Sequence, residues 1–297
     1  MFARKITAAL GATALVFSLA ACSSDESSDS ASGDKGTINL GYLPSWTDGK
    51  STAYLIDYYL TEAGYEVEHT ELTEAAALYT GLANGDVDMY PSAWPEATHK
   101  EYMDKYSDKI EDLGAYYEDA KLTLAVPSYM DDINTIDDLK GKESEFGGKI
   151  IGIEPSAGLT RQTQDHAIPE YGLDYELVTS STPSMLSELK SAMDKEDPIV
   201  VTLWRPFWAY SQFDVKDLED PQGAMGGNEA LHWLAKDGFT DEHPELAEWF
   251  GELKLSSEDY GELEDLVVNQ YEEGDELKAV QEWVESHPDA VPEAPEA

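Results

Sequence analysis

Thr37-Ile-Asn-Leu-Gly-Tyr-Leu43 alternates apolar and polar residues at the period of a β-strand and runs at once into Pro44-Ser45-Trp46. Working outward, Ser51 is expected to cap a helix whose Ile56, Tyr59, Leu60 and Ala63 fall at helical spacing, with Gly64 ending it. Tyr65 to His69 alternates as a second strand. Ala75, Leu78, Tyr79 and Leu82 repeat the helical spacing, Gly85 stops the helix, and Val87 to Tyr90 is a third strand before Pro91-Ser-Ala-Trp94. The order is β-α-β-α-β.

The same order recurs from Lys149 to Leu203. Ile150-Ile-Gly-Ile153 reads as a buried strand, Gly158 to Glu170 as a helix ended near Gly172, and Tyr175 to Thr179 as a strand. Pro183 opens a helix to Asp194, and Ile199 to Leu203 is a strand that runs into Trp204. Right-handed crossovers make each copy a mostly parallel sheet flanked by helices. The expected fold is therefore α/β and two-lobed, with a cleft between the lobes. Lys121 to Pro127 is expected to cross out of the first lobe and Phe213 to Leu218 to cross back, followed by helices through Leu246 to Leu253 and on to Trp283. This assigns 37–124 to the first lobe, 125–214 to the second, and 215–297 to the return crossing and C-terminal helices that complete the first lobe.

In open α/β sheets the carboxyl ends of the strands border the ligand crevice, so Trp46, Trp94 and Trp204 are expected to converge on one cleft. Any one indole alone is better read as packing, as Trp208, Trp233, Trp249 and Trp283 are here. Three at equivalent strand ends point to a cation site.

The N-terminus reads as a leader: Arg4 and Lys5, an apolar run from Ile6 to Leu19, then Leu19-Ala20-Ala21-Cys22. The run is short for a membrane span. Residues 22–36 are rich in Ser, Asp and Gly and read as a disordered tether. The formal charge is −42, and loss of Arg4 and Lys5 with the leader leaves 17 basic against 61 acidic residues, −44. Such a chain repels nucleic acid and anionic headgroups. No calcium loop of Asp-x-Asp-x-Asp-Gly type occurs, so no metal is expected. No hydrolase elbow, zinc-binding His-Glu-x-x-His or phosphate loop is present. A secreted hydrolase with a carboxylate pair of no recognisable spacing is the alternative of another class.

Four stretches carry a family resemblance: Ser92-Ala-Trp-Pro-Glu-Ala-Thr-His-Lys-Glu-Tyr102, Ile150-Ile-Gly-Ile-Glu-Pro-Ser-Ala-Gly-Leu159, Thr202-Leu-Trp-Arg-Pro-Phe-Trp208 and Leu218-Glu-Asp-Pro-Gln-Gly223. The chain resembles the glycine-betaine-type substrate-binding proteins of ABC importers over nearly its whole mature length. The resemblance implies a periplasmic-binding-protein fold closing on a quaternary ammonium osmolyte, no catalysis and no cofactor. It places Trp46, Trp94 and Trp204 in the aromatic box and His99, Gly158 and Leu159 at the ligand carboxylate. The leader, residues 1–21, resembles a lipobox signal, implying cleavage before Cys22, lipid on its sulfur and a place on the outer face of the cytoplasmic membrane. The family resemblance implies delivery to a permease and its ATPase, and a monomer is expected. Glycine betaine, choline, carnitine, proline betaine and ectoine all stay open as ligands. Where the family often has Trp-Ser-Pro-His-Trp, this chain has Arg205 and Phe207. Arg205 is read either as reinforcing carboxylate binding or as pairing with acidic side chains.

Overall fold

The computed structural model describes residues 35–295. The readings of the leader, of Cys22 and of nearly all of the tether fall outside those residues. The strands are β1 (Thr37–Tyr42), β2 (Glu66–Glu71), β3 (Met89–Ala93), β4 (Ile110–Pro127), β5 (Lys149–Ile151), β6 (Glu176–Val178), β7 (Val201–Arg205), β8 (Val215–Asp217) and β9 (Glu229–Lys236). They hydrogen-bond in the order β2-β1-β3-β9-β4-β7-β5-β6, with β8 on β4.

This path has two halves because β4 changes partner. Residues Ile110 to Ala120 pair antiparallel with β9, and Lys121 to Ala125 pair antiparallel with β7. Within each half three strands are parallel neighbours, β2-β1-β3 in one and β6-β5-β7 in the other. Those six are the strands whose alternation and apolar runs were legible. The antiparallel pairings come from β4, β8 and β9, so each half is mixed where a mostly parallel sheet was expected. The passage back also comes later than Phe213 to Leu218: β8 still pairs with Ala125 to Pro127, and the chain rejoins the first half only at β9.

Helices flank both halves: α1 (Thr47–Glu62), α2 (Ala75–Asn84), α3 (Lys100–Tyr106), α4 (Gly158–Gln162), α5 (Ile168–Tyr171), α6 (Thr182–Met193), α7 (Ala209–Gln212), α8 (Phe239–Glu242), α9 (Pro244–Glu252), α10 (Ser257–Asp265) and α11 (Glu276–Ser286). A wide π-type turn, Thr163–Ala167, joins α4 to α5, so helical backbone runs unbroken from Gly158 to Tyr171. α1 starts four residues before the expected cap at Ser51. Ser51 is buried inside the helix, and Trp46 takes the N-cap position with no side-chain cap. A turn closed by Trp46 N–H to the Leu43 carbonyl (2.9 Å) brings the chain from β1 straight into the helix. Gly85 ends α2 with φ +76°, a conformation that costs glycine little. α6 is capped by Ser181, whose side chain accepts from Ser184 N–H, with Pro183 in its first turn.

The core holds Trp233 and Trp283 fully buried and Trp249 nearly so. Trp233 stacks on Tyr116 at 3.9 Å, and Trp283 and Trp249 donate to backbone carbonyls at 3.0 Å. Trp208 is only partly buried.

Candidate functional site

Four strand ends meet at one place. Trp46 lies beyond β1, Trp94 directly after β3, and Gly158 and Leu159 open the helical run after β5. Trp204 comes from β7. It was expected just past its strand but lies within it, opposite Leu122, because the antiparallel partner β4 extends the ladder to Arg205. His99 is the N-cap residue of α3. All six of these residues line a single small cavity, which Thr98, Leu122, Ile153 and Ala157 complete.

His99 is buried, and its chemistry is fixed by one bond. Its Nδ1 accepts the backbone N–H of Trp94 at 3.1 Å. A backbone N–H can only donate, so the imidazole proton sits on Nε2. Burial, then the positive charge of Arg161, lowers the His99 pKa to about 3. The ring is therefore a neutral donor through Nε2, which has no protein partner among the described residues. Trp46 stacks parallel to it, 6.0 Å between centroids and 9° between planes. The backbone around His99 is anchored from β9, where Glu229 accepts from Ala97 N–H (2.8 Å) and Thr98 N–H (3.0 Å).

Opposite His99, the residue before Gly158 is extended and the helix begins without a side-chain cap. The N–H groups of Gly158 and Leu159 have no intrahelical acceptor and sit at the positive end of the helical run. Gly158 is required sterically: a Cβ there would lie 2.2 Å from the Thr98 carbonyl oxygen. That carbonyl belongs to the first half of the sheet and Gly158 to the second. Further bonds cross at the same level, from Tyr102 Oη to the Ser156 carbonyl (2.8 Å) and between Arg161 and Glu101 (3.2 Å).

Two of the three indoles are braced. Trp46 Nε1 donates to Glu154 at 3.1 Å. Trp204 is backed by Phe207, with stacked rings 3.9 Å apart at 19°. Beneath them lie two buried acids. Asp48 accepts from Ser92 (2.6 Å), and burial pushes its carboxyl up to about 6; Glu264 accepts from Thr47 (2.5 Å), and burial pushes it up to about 8.

Arg205 points away from the cavity. It binds Asp217 through two nitrogens (2.8 and 3.3 Å) and lies over the Tyr210 ring at 3.6 Å, so pairing with an acid is the reading the structure shows. Glu154, Thr98 and Arg161 were not singled out from the sequence, although each lies within or beside one of the four family-like stretches. A Glu at the end of an apolar strand, running into Pro-Ser-Ala-Gly, was the available signal. Among the described residues no group of three or more His, Cys, Asp or Glu is arranged to hold a metal ion.

An α/β fold of mixed sheet and flanking helices, with strand ends converging on an aromatic cavity, defines an extracytoplasmic-type solute-binding protein. The chain belongs to the family described as the substrate binding domain of ABC-type glycine betaine transport systems, which matches residues 36–286. It is similar in structure to the glycine betaine/L-proline-binding protein ProX of Borrelia burgdorferi, with TM-score 0.78 and 34% identity over 86% of this chain and 97% of that one. Lactococcal OpuAC, solved closed with glycine betaine, gives TM-score 0.78 and 29% identity over 86% and 97%. The glycine betaine/carnitine transport binding protein GbuC of Listeria monocytogenes is 37% identical over 145 residues, 48% of this chain and 47% of that protein, so the match spans about half its length.

Proposed function

We propose that this protein captures glycine betaine by both ends. Trp46, Trp94 and Trp204 enclose the trimethylammonium group; Gly158 N–H, Leu159 N–H and His99 Nε2–H hold the carboxylate. A trimethylammonium group has no N–H to donate, and a carboxylate partner would also attract inorganic cations. Indole faces attract the charge and pack the methyl groups, at roughly 0.5 to 2 kcal/mol per contact. The observation that carries the reading is the His99 tautomer: a neutral imidazole with one free donor, beside two free backbone donors, suits an anion and offers choline nothing equivalent. Carnitine shares both end groups; proline betaine keeps the carboxylate and a quaternary nitrogen, with two methyls and a ring in place of three methyls; ectoine has the carboxylate without the quaternary head.

The same reading makes the protein a carrier that catalyses nothing. It is lipidated at Cys22 on the outer face of the cytoplasmic membrane, acts as a monomer, and hands its ligand to a permease driven by an ATPase. The lobe boundary near residue 124 belongs to this proposal, with β4 as the outward crossing and the return lying between β8 and β9. Intrinsic tryptophan fluorescence titrated with glycine betaine, proline betaine, carnitine, choline and ectoine tests it. Saturable quenching or shift by carboxylate-bearing quaternary amines, with choline weaker, is expected. No response to any of the five would overturn it.

A further inference from the structure

Glu154 is buried after β5, yet half of its hydrogen bonds come from across the cavity. Oε1 accepts from Thr182 N–H (2.9 Å) on its own side and from Ser45 Oγ (3.2 Å) on the other. Oε2 accepts from Thr182 Oγ1 (2.9 Å) and from Trp46 Nε1 (3.1 Å). β1 and β5 are corresponding strands of the two halves, so the group that faces Trp46 stands at the matching strand end. Each carboxylate oxygen meets a group that can only donate, a backbone N–H on one and an indole N–H on the other. An amide in this place would set its own N–H against one of them. Only a carboxylate satisfies the arrangement.

We propose that Glu154 is a positioning residue for ligand capture: it takes the Trp46 indole N–H from the opposite half, so the first wall of the cage is oriented only when the halves meet. The proposal rests on the quaternary-ammonium reading above. One bond has two effects. The ring plane is fixed, so less rotamer freedom remains to be lost when the ligand enters. An acceptor on the N–H edge also enriches the ring face in electron density, which favours a cation over a neutral group of the same shape. Trp204, by contrast, lacks such an acceptor: its Nε1 is buried without a hydrogen-bond partner, as is Asp48 Oδ1.

A double-mutant cycle on the full-length protein separates this role from plain scaffolding. Glycine betaine is titrated calorimetrically into wild type, E154Q, W46F and the double variant. Trp46→Phe keeps an aromatic face and deletes the N–H. E154Q alone is expected to weaken binding by about tenfold or more, and by less than about threefold when Phe already occupies position 46. E154Q should also narrow the preference for glycine betaine over 3,3-dimethylbutyrate, its carbon isostere with no positive charge. Should E154Q fail to fold, Glu154→Asp, which keeps the charge but shortens its reach, is expected to show the same coupling to Trp46→Phe. Equal losses in both backgrounds, with an unchanged preference between the two ligands, would overturn the positioning role. Failure of the wild type to bind glycine betaine at all would overturn the underlying functional reading as well.

Discussion

At the scale of single residues, the cage and the anchor make separable contributions. Truncating a cage wall, as in Trp94→Ala or Trp204→Ala, removes cation–π attraction and methyl packing together. The expected loss is about 1 to 3 kcal/mol, or roughly tenfold to a hundredfold in affinity, and much smaller for Trp→Phe. Calorimetric titration with glycine betaine checks it. His99→Ala is expected to weaken glycine betaine and leave choline nearly unchanged. With its pKa lowered to about 3, His99 stays neutral across the accessible range, so its donor is always present. The ratio of wild-type to His99→Ala affinity should thus be the same at pH 5.5 and pH 8. A ratio that changes with a midpoint near the ordinary histidine value would mean the imidazole works as a cation. Taking the ratio cancels Asp48, which burial pushes up to about 6 and which both proteins share.

At the scale of elements, the site is assembled from the carboxyl ends of the strands and the turns beyond them. β1, β3 and β7 supply indoles, while the chain after β5 supplies a helix start whose backbone donors face the others. Close approach at that helix start depends on Gly158 having no side chain. Gly158→Ala would drive a methyl group into the Thr98 carbonyl, so the two halves could not meet as they do. The predicted result is about a tenfold to hundredfold loss of glycine betaine affinity, with little change in the melting temperature of the unliganded protein. Undiminished binding by Gly158→Ala would show that this contact is not part of the bound state. Much of this was legible in the sequence, because glycine, tryptophan and the period-two strands mark the strand ends directly. The strand β9 was not. Glu229-Ala-Leu-His-Trp-Leu-Ala-Lys236 is buried on alternate residues at first and then continuously, and its pairing with β3 and β4 is long-range, beyond what local spacing can reveal. The first turn of α1 was missed for a related reason: Thr47 is held by Glu264 and Asp48 by Ser92, partners 217 and 44 residues away in sequence.

For the whole molecule, buried acids set how stability responds to pH. Glu264 is pushed up to about 8 from an ordinary value of 4.5, so the folded state binds its proton more tightly than the unfolded chain does. Its contribution to stability is therefore greatest below the unfolded pKa and is lost as pH rises through about 8. Asp48 acts in the same direction over a lower window. Glu264→Gln is expected to raise the melting temperature at pH 9 relative to wild type, with the advantage shrinking towards pH 5. Equal shifts at both pH values would show that the side chain's ionisation is not the cause. The duplicated β-α-β-α-β order was read from sequence, and so were the two halves. The way they meet was not, since Glu154, Arg161 and Thr98 acquire their meaning only from partners on the opposite half.

Recognition of both ends of one small zwitterion is the claim on which the rest depends, and deleting one end of the ligand at a time tests it without altering the protein. Isothermal titration of the wild type with glycine betaine, with choline, which lacks the carboxylate, and with 3,3-dimethylbutyrate, which lacks the cation, gives the three affinities side by side. Both single-ended compounds are predicted to bind about tenfold or more weakly than glycine betaine. Choline binding as tightly as glycine betaine would contradict the Gly158, Leu159 and His99 anchor, and 3,3-dimethylbutyrate binding as tightly would contradict the tryptophan cage.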